Sequence, residues 1–232
     1  MKPGIRAKAL AYWRGMRGTL VFVGLMMVFR SACADWMVVP TGSMNPTVID
    51  GDRVLIDKRA YGLRIPFTLE RVADVGDPQR GDVVVLESPE NGIALLKRVV
   101  AVPGDTVAMK DEQLIINGIA ARYQELPTET GDALLSTVRA LQPIYLREEL
   151  PGVSHATMRL PQVQARRNFA EIKIPEGRYL VMGDNRDNSQ DSRYFGLVRR
   201  DAIFGKATRV VVSLDPEYYY LPRSGRWFSP AL

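Results

Sequence analysis

The sequence predicts a mainly β protein: an antiparallel-sheet core with an inserted cap region, preceded by one N-terminal transmembrane helix. Three observations carry that expectation. Beyond Trp36 the apolar residues fall in short runs, the length of strands rather than helices. Turn pairs such as Asp50-Gly51, Asn91-Gly92 and Asn117-Gly118 punctuate those runs, and tight turns of this kind join antiparallel neighbours. The one long apolar stretch lies at residues 19–29, behind a flank that is basic throughout.

That flank, residues 1–17, carries Lys2, Arg6, Lys8, Arg14 and Arg17 with no acidic residue, which predicts a cytoplasmic N-terminus. Residues 18–36 are the anchor. The uninterrupted run is shorter than the roughly 20 residues that span a bilayer. Extension through Ala34 supplies the length if Arg30 snorkels outward and Trp36 sits at the interface. The same segment also reads as a cleavable signal, with Ala32-Cys33-Ala34 as a small-x-small site before Asp35. A lipoprotein is less compatible, because Arg30 stands three residues before Cys33. The local pattern leaves anchor and cleavable signal open.

Strands are expected at 53–57, 82–86, 93–100, 113–117, 178–182 and 208–212. They divide into a first part of the core at 37–110 and a second at 174–232. Between them, 111–173 reads as an inserted cap. From about 120 to 170 it lacks strand rhythm, and its single histidine, His155, reads as a surface residue. The 232 residues suffice for one sizeable core. The net charge of +5 is spread along the chain and no recognition motif accompanies it, so nucleic acid is not an expected partner. With Cys33 the only cysteine, an internal disulfide and a cysteine zinc cluster are excluded.

Three segments can carry chemistry. Pro40-Thr-Gly-Ser-Met-Asn-Pro46 is a turn-prone loop just after the anchor, where Gly42 permits backbone geometry that exposes the Ser43 hydroxyl. Lys97 alternates with Ile93, Leu95 and Val99 on one strand face. Burial there would lower its pKa and let a neutral amine take the Ser43 proton. Arg98 points to the other face and stays protonated, so it cannot substitute. With one histidine in the chain, this points to Ser–Lys hydrolysis rather than a His-dependent triad. The third segment, residues 182–196, is dense in Asp, Asn and Ser without EF-hand spacing. Its arginines and aspartates suggest internal ion pairs, and Ser189 could set a hydroxyl against the lysine amine.

Pro40-Thr-Gly-Ser-Met44, Lys97-Arg-Val-Val-Ala-Val-Pro-Gly-Asp105 and Gly183-Asp-Asn-Arg-Asp-Asn-Ser-Gln-Asp-Ser-Arg-Tyr-Phe-Gly196 resemble the three signature boxes of bacterial type I signal peptidases, in the family's order after an anchor. The resemblance implies Ser43 as nucleophile and Lys97 as general base. It implies the Ser43 N–H and the Thr41 hydroxyl as oxyanion donors. Ser189 matches the serine that orients the lysine, Asp191 and Arg193 an adjacent ion pair, and Asp184 and Arg186 supports of the loop. Val39, Met44 and Leu96 would line shallow pockets for the small residues of an Ala-x-Ala site.

The implied enzyme is a membrane-anchored serine endopeptidase without metal or organic cofactor. Its partners would be signal-peptide-bearing preproteins, membrane lipid and the export machinery. It would sit in the bacterial plasma (inner) membrane with the catalytic domain outside. The family favours a retained anchor, although self-cleavage after Ala34 stays open. Two alternatives also stay open: a specialised Ser–Lys processing peptidase for one secreted or pilus substrate, and a catalytically silent, membrane-tethered binding domain.

Overall fold

The computed structural model describes residues 5–68 and 71–230. Residues 1–4, with Lys2 of the basic flank, lie outside the described residues. Helix α1 (Ile5–Ala32) contains the window Gly15–Ala32, of mean hydropathy 1.2, none of which is buried against the rest of the chain. That window is long and apolar enough to cross a membrane by length and composition.

The helix ends earlier than the expected anchor. Cys33 N–H closes the last turn on the Phe29 carbonyl, and strand β1 (Ala34–Val38) begins at once. Asp35 and Trp36 therefore belong to the sheet. The cause is non-local pairing: Ala34 to Val38 align antiparallel with β2 (Asp52–Asp57). Arg30 reaches forward along the chain, donating to Asp35 at 2.7 Å and stacking 4.3 Å from the Trp36 ring centre. Ala34, the candidate self-cleavage point, sits opposite Asp57 in a formed strand.

The main sheet has nine strands, and its pairs are antiparallel. Its order is β1, β2, β16 (Ile203–Asp215), β5 (Val83–Glu87), β6 (Ala94–Ala101), β14 (Arg178–Met182) and β15 (Val198–Arg199). Short β17 (Leu221–Pro222) and β18 (Ser229–Pro230) also pair with β16. Because β16 lies between β2 and β5, the end of the chain joins the two early hairpins. A separate hairpin, β3 (Gly62–Arg64) with β4 (Arg71–Asp74), follows β2.

The inserted region is more ordered than its sequence suggests. A four-stranded sheet runs β13 (Phe169–Lys173), β7 (Thr106–Lys110), β8 (Gln113–Ile116) and β9 (Ile119–Ala120). A three-stranded sheet follows, β10 (Arg122–Glu125), β11 (Ile144–Leu150) and β12 (Val153–Arg159), with one-turn helix α2 (Ser136–Arg139) between its first two strands. The expected lack of strand rhythm over 120–170 is thus corrected. On β11 Tyr145, Leu146, Glu148 and Leu150 are buried while Arg147 and Glu149 are exposed. Glu148 occupies an inward position, and its charge masks the alternation. No linker separates cap from core: one apolar cluster joins Val100, Val107, Leu114, Leu150, Ile174 and Met182.

Candidate active site

Ser43 lies in a single 3-10 turn, Gly42–Met44, on the loop between β1 and β2. Backbone bonds from Val39 to Asp52 and from Gly51 back to Val39 clip the loop's ends together. Met44 plugs it into the core, where it joins Val39 and Leu96 in one apolar cluster, each at most 4% exposed. The three expected pocket residues therefore lie together in the core, almost out of reach of solvent. Gly42 serves close packing more than backbone freedom: a Cβ there would fall 2.5 Å from Asn45 Nδ2.

Lys97 comes from β6, which pairs with β5 on one side and β14 on the other. It is 2% exposed, and its Nζ donates to Ser43 Oγ at 2.9 Å and to the Leu96 carbonyl at 3.0 Å. Burial drives its pKa from 10.5 down to about 8, because an ammonium loses hydration inside protein. Asp191 and Asp184 oppose that shift and Arg193 assists it. Neither aspartate bonds the amine. Asp184 is held by Arg98 through two bonds of 2.8 and 2.7 Å, and Asp191 by Arg193 at 2.9 and 2.8 Å. Arginine keeps its proton, so each pair leaves Lys97 without a counter-ion of its own.

The third segment follows β14 as a buried loop and ends in the single turn of α3 (Ser192–Phe195), capped by the Asp191 carboxylate. It wraps the serine loop from behind. Asn185 N–H donates to the Ser43 carbonyl at 3.1 Å, and its side-chain amide to the Gly42 carbonyl at 3.0 Å. Gly183 makes the approach possible, since a Cβ there would meet the Ser43 carbonyl oxygen at 2.4 Å and Ser189 Oγ at 2.3 Å. Ser189 is buried near this point with an unpartnered hydroxyl, and the structure makes no bond from it to Lys97. Thr41 is exposed and its side chain does not cap the turn.

His155 is not the surface residue its sequence context suggests. Its side chain is 5% exposed, with Nε2 3.2 Å from Glu148 and 3.8 Å from Asp184. Glu148 in turn is paired by Arg186 and bonded by Tyr123 at 2.7 Å. Although burial opposes its ionisation, Arg186 and His155 hold the Glu148 carboxyl well below the usual range. The ion pairs expected inside the loop are therefore mostly made outside it, to Arg98, Glu148 and Arg167, with Asp191–Arg193 the internal exception. Asn185 and Glu148 escaped the sequence reading. Arg98, a charge inside an apolar strand run, was a visible signal that a buried partner must exist.

A family model described as signal peptidase, peptidase S26, matches residues 13–212. The chain belongs to this family. Similar relatives include the signal peptidase I of Pseudomonas aeruginosa, 38% identical over 87% of this chain and 73% of its own length. That of Pseudomonas fluorescens is 36% identical over the same shares. Signal peptidase I of Bacillus licheniformis is 30% identical over 82% of this chain and 83% of its own. A solved signal peptidase I from Enterococcus faecalis V583 is 33% identical, covering 58% of this chain and all of its own, with a TM-score of 0.35. Membership makes the protein a peptidase of the serine class. In this chain a partly exposed serine, Ser43, accepts directly from the buried Lys97 amine.

Proposed function

We propose that this protein is a membrane-anchored endopeptidase that removes N-terminal signal peptides from exported preproteins after small-x-small sites, through a Ser43–Lys97 acyl-enzyme mechanism. The observation that carries the proposal is the 2.9 Å contact between Ser43 Oγ and a buried amine whose pKa is about 8. A base poised near working pH is neutral often enough to accept a proton and acidic enough to return it.

Lys97 takes the Ser43 proton as Oγ attacks the carbonyl carbon of the scissile bond. The carbonyl π electrons move onto oxygen, where the Ser43 N–H and the Thr41 hydroxyl donate to the developing charge. Collapse expels the new N-terminus of the mature protein, which receives the proton from Lys97. The neutral amine then deprotonates water, which attacks the ester and releases the signal peptide, and the proton returns to Ser43. Asp191 and Arg193 fix the loop behind the lysine, with Ser189 beside it.

The surroundings suit an extended chain with small side chains. Strand β1 is the edge of the main sheet, and a cleft of about 620 Å³ runs along it, lined by Met37, Val38, Ile56, Val85, Ala94 and Phe204 among others. A substrate strand can add to such an edge, while Val39, Met44 and Leu96, packed in the core, would limit depth and favour alanine over bulkier residues. Helix α1 would hold the domain on the outer face of the bacterial plasma membrane, with the basic flank cytoplasmic and the export machinery delivering substrate.

The deciding experiment compares wild type and Lys97→Ala in detergent on a preprotein bearing an Ala-x-Ala site. Cleavage at that site by wild type alone is expected. Equal cleavage by both removes Lys97 as base, and cleavage by neither folded protein favours the tethered binding domain.

A further inference from the structure

Five arginines gather around the β3–β4 hairpin and the β14–β15 pair. Arg64 sits directly opposite Arg71 across β3 and β4, and Arg178 directly opposite Arg199 across β14 and β15. Like charges in these positions repel and weaken strand pairing. The chain compensates for them only in part. Arg71 donates to Asp74 at 2.9 Å, Arg199 is paired with Asp201, and Arg200 donates to Asp77 at 2.7 Å and to the Tyr61 and Gly76 carbonyls. Among the described residues Arg64 has no acidic partner: it donates to the Ile203 carbonyl at 3.0 Å and lies over the Phe204 ring at 4.9 Å. Arg178 has no side-chain partner among the described residues.

Arg71, Arg178, Arg199 and Arg200 line one cleft of about 290 Å³, with Asp201 its one acidic lining residue among those described. Arg178 and Arg199 continue into a neighbouring cleft that Arg64 also lines, where Glu87, Glu90 and Asp201 stand among the lining residues. The hairpin connects this region to the end of α1. At its turn the Phe67 N–H donates to Ser31 Oγ at 2.7 Å, and Ile65 and Phe67 are exposed there. Arg64 also borders the cleft that includes Ser31 and Trp36.

We infer that the arginine cleft binds the phosphate of an anionic phospholipid headgroup. The inference rests on α1 being a membrane anchor, which sets the hairpin turn at headgroup height. Guanidinium groups match phosphate oxygens bidentately, and basic residues near a bilayer surface attract anionic lipid. A bound phosphate would relieve both like-charge pairs. A zwitterionic headgroup brings an ammonium that Arg64 and Arg178 repel, so the cleft discriminates by net charge.

The test titrates the full-length protein in detergent with short-chain phosphatidylglycerol, short-chain phosphatidylcholine and inorganic phosphate. Wild type is compared with the double variant Arg178→Gln/Arg199→Gln. Saturable binding of phosphatidylglycerol is expected, about tenfold weaker for phosphatidylcholine and about tenfold weaker in the double variant. Inorganic phosphate bound as tightly as phosphatidylglycerol overturns the headgroup assignment in favour of a soluble anion. Equal affinity for phosphatidylcholine, or an unchanged double variant, overturns the site. Melting curves control for misfolding: without lipid the variant should melt no lower than wild type, and phosphatidylglycerol should raise Tm in wild type alone. Alkaline extraction of vesicles carrying the full chain tests the anchor separately. Protein released from the vesicles refutes the membrane reading, while the detergent titration still judges the cleft.

Discussion

Lys97 and Arg98 are neighbours on β6, each 2% exposed, and their surroundings differ in kind. Arg98 has a two-pronged carboxylate in Asp184 and the Gly81 carbonyl at 2.7 Å. Lys97 has a serine hydroxyl and one backbone carbonyl. An arginine cannot shed its charge, so burial demands a partner. A lysine can lose its proton, and withholding the partner turns burial into basicity. The charged layer around Asp184, His155, Glu148 and Arg186 fixes the loop. Beside it, burial without a charged partner lowers the Lys97 pKa.

Breaking the paired side should cost most. Asp184→Ala leaves Arg98 buried and unmatched, and a loss of about 3–5 kcal/mol is expected in chemical denaturation. Arg98→Met combined with Asp184→Leu should recover most of it. A loss below about 1 kcal/mol would mean the two cations are treated alike.

Lys97→Met tests the unpaired side with the opposite sign. The folded pKa of about 8 lies below the ordinary lysine value of 10.5, so between those pH values the unfolded chain holds more protons. Stability therefore rises with pH across that window. The variant should be more stable by roughly 3 kcal/mol at pH 7, lose this advantage above the window, and be inactive. An equal gain at pH 7 and pH 11 would show that the amine's charge is not its source.

Asn185 links the two regions, and Asn185→Ala should lower kcat about tenfold with KM near wild type, while the pH profile keeps its shape. A loss confined to KM would make it a substrate contact instead of a positioning residue. The smallest effect concerns His155. The kcat/KM profile should rise with pH to a limb near 8, as the neutral fraction of Lys97 grows. His155→Gln should leave that limb in place, and a limb that moves with this substitution would transfer the base to histidine.

The sequence made the Lys97 side legible because a lone cation in a run of Leu and Val, with no histidine nearby, states its own problem. Five of the six expected strands agree closely with the observed ones, and β16 extends further, Ile203–Asp215 against 208–212. The paired side was harder to read. Glu148 and Asn185 act through partners from distant segments, so neither residue's local pattern announces it. The same holds for Asp35 and Trp36: their apolar context continues the helix, and only pairing with β2 reassigns them. The Ser189 hydroxyl, expected against the lysine, depends on a rotamer that spacing does not determine.

The immediate passage from α1 into β1 has a geometric consequence. From Ala32 to Ser43 the chain can extend to at most roughly 40 Å, and pairing of β1 with β2 makes the first part of that tether stiff. With α1 in the bilayer, the proposed nucleophile would work like the blade of a fixed-height plane. It would cut wherever a passing chain reaches that level, and lengthening the 39–42 loop would shift the level only as far as the backbone clips from Val39 to Asp52 and Gly51 yield.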